Sequence, residues 1–144
     1  MVAPPLVFWD TNLFIYSFER HPFFADRVDQ IRINMLRLGY ALCTSMFTVG
    51  EALVKPASLG DRVMIEGYRS LFHSRAITLI PFDSAAAEAY AQIRSDRTIS
   101  RPDAIQLACA ASRGVSLFIT NDLRLSNKVI PGIDVISSLD AALL

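Results

Sequence analysis

Short, almost wholly apolar runs recur along this chain, alternating with stretches of helical periodicity. The runs are Leu6-Val7-Phe8-Trp9, Tyr40-Ala41-Leu42-Cys43-Thr44, Ala76-Ile77-Thr78-Leu79-Ile80 and Val115 to Thr120. A strand that is apolar at every position, rather than at alternate ones, is buried on both faces. That pattern belongs to a parallel sheet with helices packed on each side. The segments between the runs read as helices: Leu13 to Phe18, Phe23 to Leu38, Ser45 to Val54, Asp61 to Phe72, Asp83 to Arg94 and Pro102 to Arg113. In the second of these, Val28, Ile31, Met35 and Leu38 fall at spacings of three and four, which puts them on one face. Gly39 and Gly114 follow helices as terminators, Asp83 is an N-cap, and Pro56 halts the helix before it. Asp134-Val135-Ile136 reads as a short fifth strand ahead of a brief C-terminal helix. The expected fold is α/β, a single domain over residues 1–144 with a short parallel sheet of four or five strands and helices on both faces.

A chain of 144 residues, 52% of them hydrophobic, can bury a core without disulfides or a structural metal. No apolar run approaches the roughly 20 residues of a membrane-spanning helix, and the first residues lack a basic region followed by an apolar stretch. Cys43 and Cys109 both sit in apolar company and read as buried, reduced thiols of a cytoplasmic protein. The 14 basic and 14 acidic residues cancel, which excludes a general polyanion binder. Twelve of the basic residues are arginine, whose planar fork suits phosphate.

Four carboxylates fall where a strand ends or a helix begins. Asp10 follows the first apolar run, Glu51 lies one turn into the helix after the second, Asp103 stands just inside the helix opened by Pro102, and Asp122 follows the fourth run. Each alone has an ordinary reading. Asp10 and Asp122 would serve as cap or turn residues, Asp103 complements the helix dipole, and Glu51 is a surface glutamate. In a parallel sheet, however, ligands bind beyond the carboxyl ends of the strands, and there the four would converge. Clustered carboxylates repel and raise one another's pKa unless a cation neutralises them. Oxygen-only ligands suit Mg²⁺ or Mn²⁺, and such an ion can orient a phosphodiester and activate water.

The motifs Phe8-Trp9-Asp10-Thr11-Asn12-Leu13-Phe14-Ile15-Tyr16, Thr48-Val49-Gly50-Glu51-Ala52-Leu53, Arg101-Pro102-Asp103-Ala104-Ile105-Gln106-Leu107-Ala108-Cys109-Ala110 and Leu117-Phe118-Ile119-Thr120-Asn121-Asp122 together resemble a PIN domain. More narrowly they resemble the ribonuclease toxins of VapBC toxin–antitoxin modules. The resemblance implies a metal-dependent endoribonuclease in which Asp10, Glu51, Asp103 and Asp122 are catalytic and bind Mg²⁺ or Mn²⁺. It also implies that Thr11, Asn12 and Thr120 orient the ligands or the phosphate. A cognate antitoxin and a homodimer are expected as partners. Many relatives carry a further acid two or three residues after the fourth one, where this chain has Arg124 and Leu125. One ion is therefore expected, with any second held partly by the substrate phosphate or by Asp96.

RNA contacts are expected from Arg20, Arg94, Arg97 and Arg101, and the aromatic segment from Tyr16 to Phe24 reads as a base-stacking or protein-binding surface. His21 and His73 stand outside all four motifs. A catalytically silent PIN-like module that binds RNA or protein is the alternative from another functional class. A phosphatase with an aspartyl nucleophile at Asp10 would want a second acid at the position of Asn12.

Overall fold

The computed structural model describes residues 2–144; Met1, where the expected domain begins, lies outside them. The elements run β1 (Leu6–Trp9), α1 (Thr11–Phe18), α2 (Ala25–Leu38), β2 (Ala41–Ser45), α3 (Met46–Leu59), α4 (Arg62–Phe72), β3 (Ile77–Ile80), α5 (Ser84–Ile93), α6 (Arg101–Ser112), β4 (Val115–Thr120) and β5 (Ile133–Ser138). All five strands pair in parallel, in the order β3-β2-β1-β4-β5.

The apolar runs fill two cores, one on each face of the sheet. Within β1 the side chains alternate. Val7 and Trp9 join Leu13, Phe14, Val28, Ile31 and Met35 beneath α1 and α2, while Phe8 joins Ala104, Leu107 and Ala108 beneath α6. Phe8 stacks on Phe118 of β4 with ring centroids 4.8 Å apart. Sequence order and spatial order together fix where a site can form. The chain lays down β1, β2 and β3 in one direction, then returns to the other side of β1 for β4 and β5. The crevice left where the direction reverses opens at the carboxyl ends of β1 and β4, which are followed by Asp10 and Asp122.

Two local expectations need correction. Helix α3 does not stop before Pro56 but runs through it to Leu59, and ends at Gly60, which takes the left-handed conformation at φ 62°. Pro56 falls in the last turn and is buried, so the helix forfeits one backbone hydrogen bond and gains apolar contact. The expected C-terminal helix is absent among the described residues. A single turn closes from the Ala142 amide to the Ser138 carbonyl (3.1 Å), and Arg27 of α2 donates to the carbonyls of Leu144 (2.7 Å) and Ala142 (2.9 Å). One turn fixes several dihedrals for one bond and does not propagate alone.

The turn into β5 depends on Gly132. Its φ of 95° is a conformation that L side chains rarely adopt, and a Cβ there would lie 2.6 Å from the Ala111 carbonyl oxygen at the end of α6. Gly132→Ala is expected to destabilise the domain by about 2–3 kcal/mol, from backbone strain and the clash together. Urea unfolding would measure this, and a loss below about 0.5 kcal/mol would refute it.

Candidate functional site

Asp10 leaves the sheet at the end of β1, its amide bonded to the Ile119 carbonyl of β4 at 3.0 Å. Its carboxylate caps α1 by accepting from the Thr11 amide (2.9 Å). It also accepts from the Thr120 hydroxyl (2.8 Å) and from Gln106 Nε2 (3.3 Å). The capping reading holds, and a cap at this strand end also turns the carboxylate toward the crevice. Glu51 reaches the same place from α3 and accepts from the Thr11 hydroxyl at 2.5 Å. Asp103 stands in the first turn of α6, which Ser100 caps. A cavity of about 260 Å³ brings these together, lined by Asp10, Thr11, Asn12, Ile15, Glu51, Pro102, Asp103, Gln106 and Asp122.

Beneath the cavity floor lies a buried polar network. Gln106 is only 2% exposed, and its Nε2 is 2.7 Å from Thr48 Oγ1 and 3.1 Å from Thr11 Oγ1. Its Oε1 accepts from the Ser45 hydroxyl, and Ser45 Oγ in turn accepts from the Thr48 amide (3.1 Å). Thr48 also lies 3.2 Å from Thr11 Oγ1 and 2.8 Å from Thr44 Oγ1, and Thr44 is 2.8 Å from the Trp9 carbonyl. Sequence reading missed Gln106, Thr48 and Ser45. The available signal was position: Gln106 follows Asp103 by three residues and Thr48 precedes Glu51 by three, so each shares a helix face with an acid.

The electrostatics divide the acids into two kinds. Burial pushes the Asp10 pKa up, more than the bonds from Thr120, Thr11 and Gln106 pull it down, and the charge of Asp103 adds to the rise. Glu51 is raised as well, by burial first and then by Asp10 and Asp103, against the Thr11 bond. Asp122 is the opposite. Arg124 Nε and the Arg124 amide each donate to Oδ1 at 3.0 Å, Nη2 donates to Oδ2 at 2.8 Å, and this fork holds the Asp122 pKa down. The Asp122 amide bonds Thr120 Oγ1 at 3.0 Å, so Thr120 ties the ends of β1 and β4 together.

The cavity lining offers carboxylate, hydroxyl and amide oxygens and no sulfur or imidazole, a donor set for a hard cation. Among the described residues, no three acidic, histidine or cysteine side chains close into a ready-made coordination shell.

The arginines expected at the rim separate. Arg20 is not a rim residue. It follows the far end of α1 and is spent on Asp29 (2.5 Å) and Asp26 (3.1 Å). Arg94 donates to the Ile99 carbonyl (2.6 Å) and braces the loop ahead of α6. Arg97 and Arg101 are exposed, and Arg101 directly precedes the cavity residues Pro102 and Asp103. Asp96 does not join the acids. Thr98 and Lys128 hold its pKa down to about 2, and it lines a different cavity. His21 accepts from the amides of Phe23 and Phe24 and packs with Tyr16 and Phe24, and His73 faces the Arg69 carbonyl. Neither lines the acidic cavity.

The fold recurs in solved structures. One similar chain belongs to VapBC2 from Rickettsia felis bound to a DNA fragment from its promoter, at a TM-score of 0.72 and 17% identity, with 92% of this chain and 98% of that one covered. Another belongs to DNA-bound VapBC from Salmonella typhimurium, at a TM-score of 0.64 and 22% identity, covering 94% and 98%. A third belongs to a toxin–antitoxin complex from Klebsiella pneumoniae, at 0.64 and 22%, covering 88% and 94%. No curated protein sequence matches the chain. No helix among the described residues is long and apolar enough to cross a membrane. The family model described as "PIN domain" matches residues 7–130, which takes in Asp10, Glu51, Asp103 and Asp122, and the chain belongs to that family.

Proposed function

We propose that this protein is a Mg²⁺- or Mn²⁺-dependent endoribonuclease and the toxin of a toxin–antitoxin pair. The observation that carries the reading is the cavity itself, in which two carboxylates, Asp10 and Glu51, are both pushed up in pKa by burial and by negative neighbours. Such a site is short of positive charge. Its similarity to chains taken from VapBC complexes supports the toxin assignment and a protein antitoxin as partner. A homodimer and a cytoplasmic location belong to the same proposal.

Asp10, Glu51 and Asp103 would hold the ion, which would keep much of its water in a site with no closed three-ligand shell. When bound, the cation supplies charge stabilisation at the phosphate and a water of lowered pKa. Thr11 fixes Glu51, and Thr120 with Gln106 fixes Asp10, so neither carboxylate has to reorganise when substrate arrives. Asn12, on the cavity wall, would donate to a phosphate oxygen, and the exposed Arg101, next to the cavity residue Pro102, would extend positive charge along one rim. Asp122 joins the ligands only when the Arg124 guanidinium, 81% exposed, swings away. Arg124→Ala is therefore expected to tighten Mn²⁺ binding about threefold to tenfold, a modest gain because solvent screens the pair. Calorimetric titration would measure it, and weaker binding would show that Arg124 assists the ion.

The test of the function is to incubate the purified chain with total RNA and Mn²⁺ and map new 5′-phosphate ends. Discrete ends that vanish with chelator and with Asp10→Asn are expected. The absence of new ends from folded protein would leave the silent binding module, and cuts that survive chelator would overturn the metal mechanism.

A further inference from the structure

The acidic cavity has the carboxylates of Asp10, Glu51, Asp103 and Asp122 on its walls and no basic side chain among its lining residues. A phosphodiester that enters it meets like charge. One cation, however, is held against the cavity by a wall residue itself. Arg124 clasps both oxygens of Asp122, with Nε 3.0 Å from Oδ1 and Nη2 2.8 Å from Oδ2. Among the described residues these are the only hydrogen bonds that its guanidinium makes, and its side chain is 81% exposed against 26% for Asp122. Asp122 first, and then Asp103, hold the Arg124 pKa above its usual value, so two of the cavity acids act on this one guanidinium. Asp122 does not depend on the guanidinium for its place. Its amide donates to Thr120 Oγ1 (3.0 Å), and the Arg124 amide donates to its Oδ1 (3.0 Å). If the guanidinium leaves, the carboxylate stays on the cavity wall with Oδ2 free of any donor.

A guanidinium fork binds a phosphate through the same two parallel N–H···O bonds that it makes to a carboxylate, so it exchanges one for the other at little net cost. With no second anion to receive it, the arginine would give up a paired charge for water alone. We propose that Arg124 is a substrate-binding residue, which takes a backbone phosphate of the RNA and in doing so hands the Asp122 carboxylate to the metal ion. RNA and cation then bind cooperatively, because each removes the same arginine–carboxylate pair that the other must break. Without RNA the arginine occupies one of the ion's ligands, and the site holds its cation weakly. The inference rests on the nuclease reading and adds to it a residue for the substrate and a coupling between substrate and metal.

Calorimetry tests the coupling without relying on turnover. Mn²⁺ is titrated into the full-length chain alone, with a 2′-O-methyl-uridine hexamer on a phosphorothioate backbone, and with the same hexamer on an uncharged methylphosphonate backbone. The phosphorothioate keeps the charge and resists hydrolysis, and its sulfur is a poor ligand for a hard ion. The charged hexamer should tighten Mn²⁺ binding about threefold to tenfold, and the uncharged one by less than about twofold. In Arg124→Ala, Mn²⁺ should bind tightly from the start, with less than about twofold more from the charged hexamer. Without metal, the charged hexamer should bind that variant about threefold to tenfold more weakly than it binds the unaltered chain. An unchanged Mn²⁺ affinity with the charged hexamer, equal tightening in Arg124→Ala, or undiminished hexamer binding by that variant would each overturn the proposal. The comparison of charged with uncharged hexamer needs only the unaltered chain, so it decides the matter even if the variant does not fold. Failure of the nuclease reading is separate: it would appear as coupling intact and no new RNA ends, whereas RNA cleavage without coupling would overturn the role of Arg124 alone.

Discussion

Asp10→Asn is expected to lower RNA cleavage by about 10³-fold or more and, in the same molecule, to raise the stability of the metal-free protein. The loss follows from removing the carboxylate at the centre of the acidic cavity, where Thr120, Thr11 and Gln106 all aim at it. The gain follows from its pKa. Burial and Asp103 raise Asp10 above its ordinary 3.8 in the folded protein. The folded state thus holds the Asp10 proton more tightly than the unfolded chain does. The corresponding stability is present below pH 3.8 and is lost as the pH climbs through the higher folded value. At neutral pH the ionised carboxylate is a liability that asparagine removes while still accepting from the Thr11 amide. The variant should be more stable by about 1–2 kcal/mol at pH 7, a rise in Tm of about 3–6 °C, and its advantage should shrink to nothing near pH 3.5. Adding Mn²⁺ at a hundred times its dissociation constant should stabilise the unaltered chain by about 2.7 kcal/mol and leave the variant unmoved. A variant that is less stable at every pH would show that Asp10 acts mainly as a helix cap.

The parts of this design that were legible in the sequence are those where one physical demand dominates. Double burial makes β1 apolar throughout and the middle of β4, Leu117 to Ile119, apolar as well, so the parallel sheet could be read from Leu6–Trp9 and Val115–Thr120. Asp10 could be found because a carboxylate amid such residues needs a reason to be there. Where two demands compete, sequence alone did not decide. Pro56 opposes a helix, yet the cost in a last turn is small and its burial is favourable, so α3 continued. Arg20 and Arg101 look alike as charges flanking motifs, and only the packing of α1 on α2 reveals that Asp26 and Asp29 claim the first. Gln106 passed unnoticed because polarity on a helix usually marks the solvent face; its partners come from β1, α1 and α3, far away in sequence. The Asp122–Arg124 fork was hidden for the reverse reason. The two residues are neighbours in the chain, and a turn rather than a periodic element brings guanidinium to carboxylate.

Gln106→Leu should be the most destabilising polar substitution in the domain, costing about 3 kcal/mol, near 10 °C in Tm, although it removes no charge and adds apolar volume. Leucine fills the space but neither donates nor accepts. The Ser45 hydroxyl, fully buried, loses its acceptor, while Thr11 and Thr48 lose their donor and Asp10 loses one of its three. Unpaired groups in a low-dielectric interior cost more than the bonds themselves contributed, because water cannot replace them. The functional effect should exceed what unfolding explains. At a temperature where the variant is fully folded, its turnover should still fall about 10- to 100-fold with KM for RNA little changed, since Gln106 acts through Asp10 and, by way of Thr11, through Glu51. Gln106→Glu supplies the control. It restores an acceptor for Ser45 but sets a third carboxyl beside Asp10, and burial there raises the pKa of the new group. Its folded state is therefore favoured below the ordinary glutamate value of about 4.3 and weakened as the pH rises past it. The Gln106→Glu variant should approach the unaltered chain in stability at pH 4 and fall well below it at pH 8, whereas the deficit of Gln106→Leu should change little with pH. Equal deficits for the two variants across that range would mean that volume, not hydrogen bonding, is what position 106 provides.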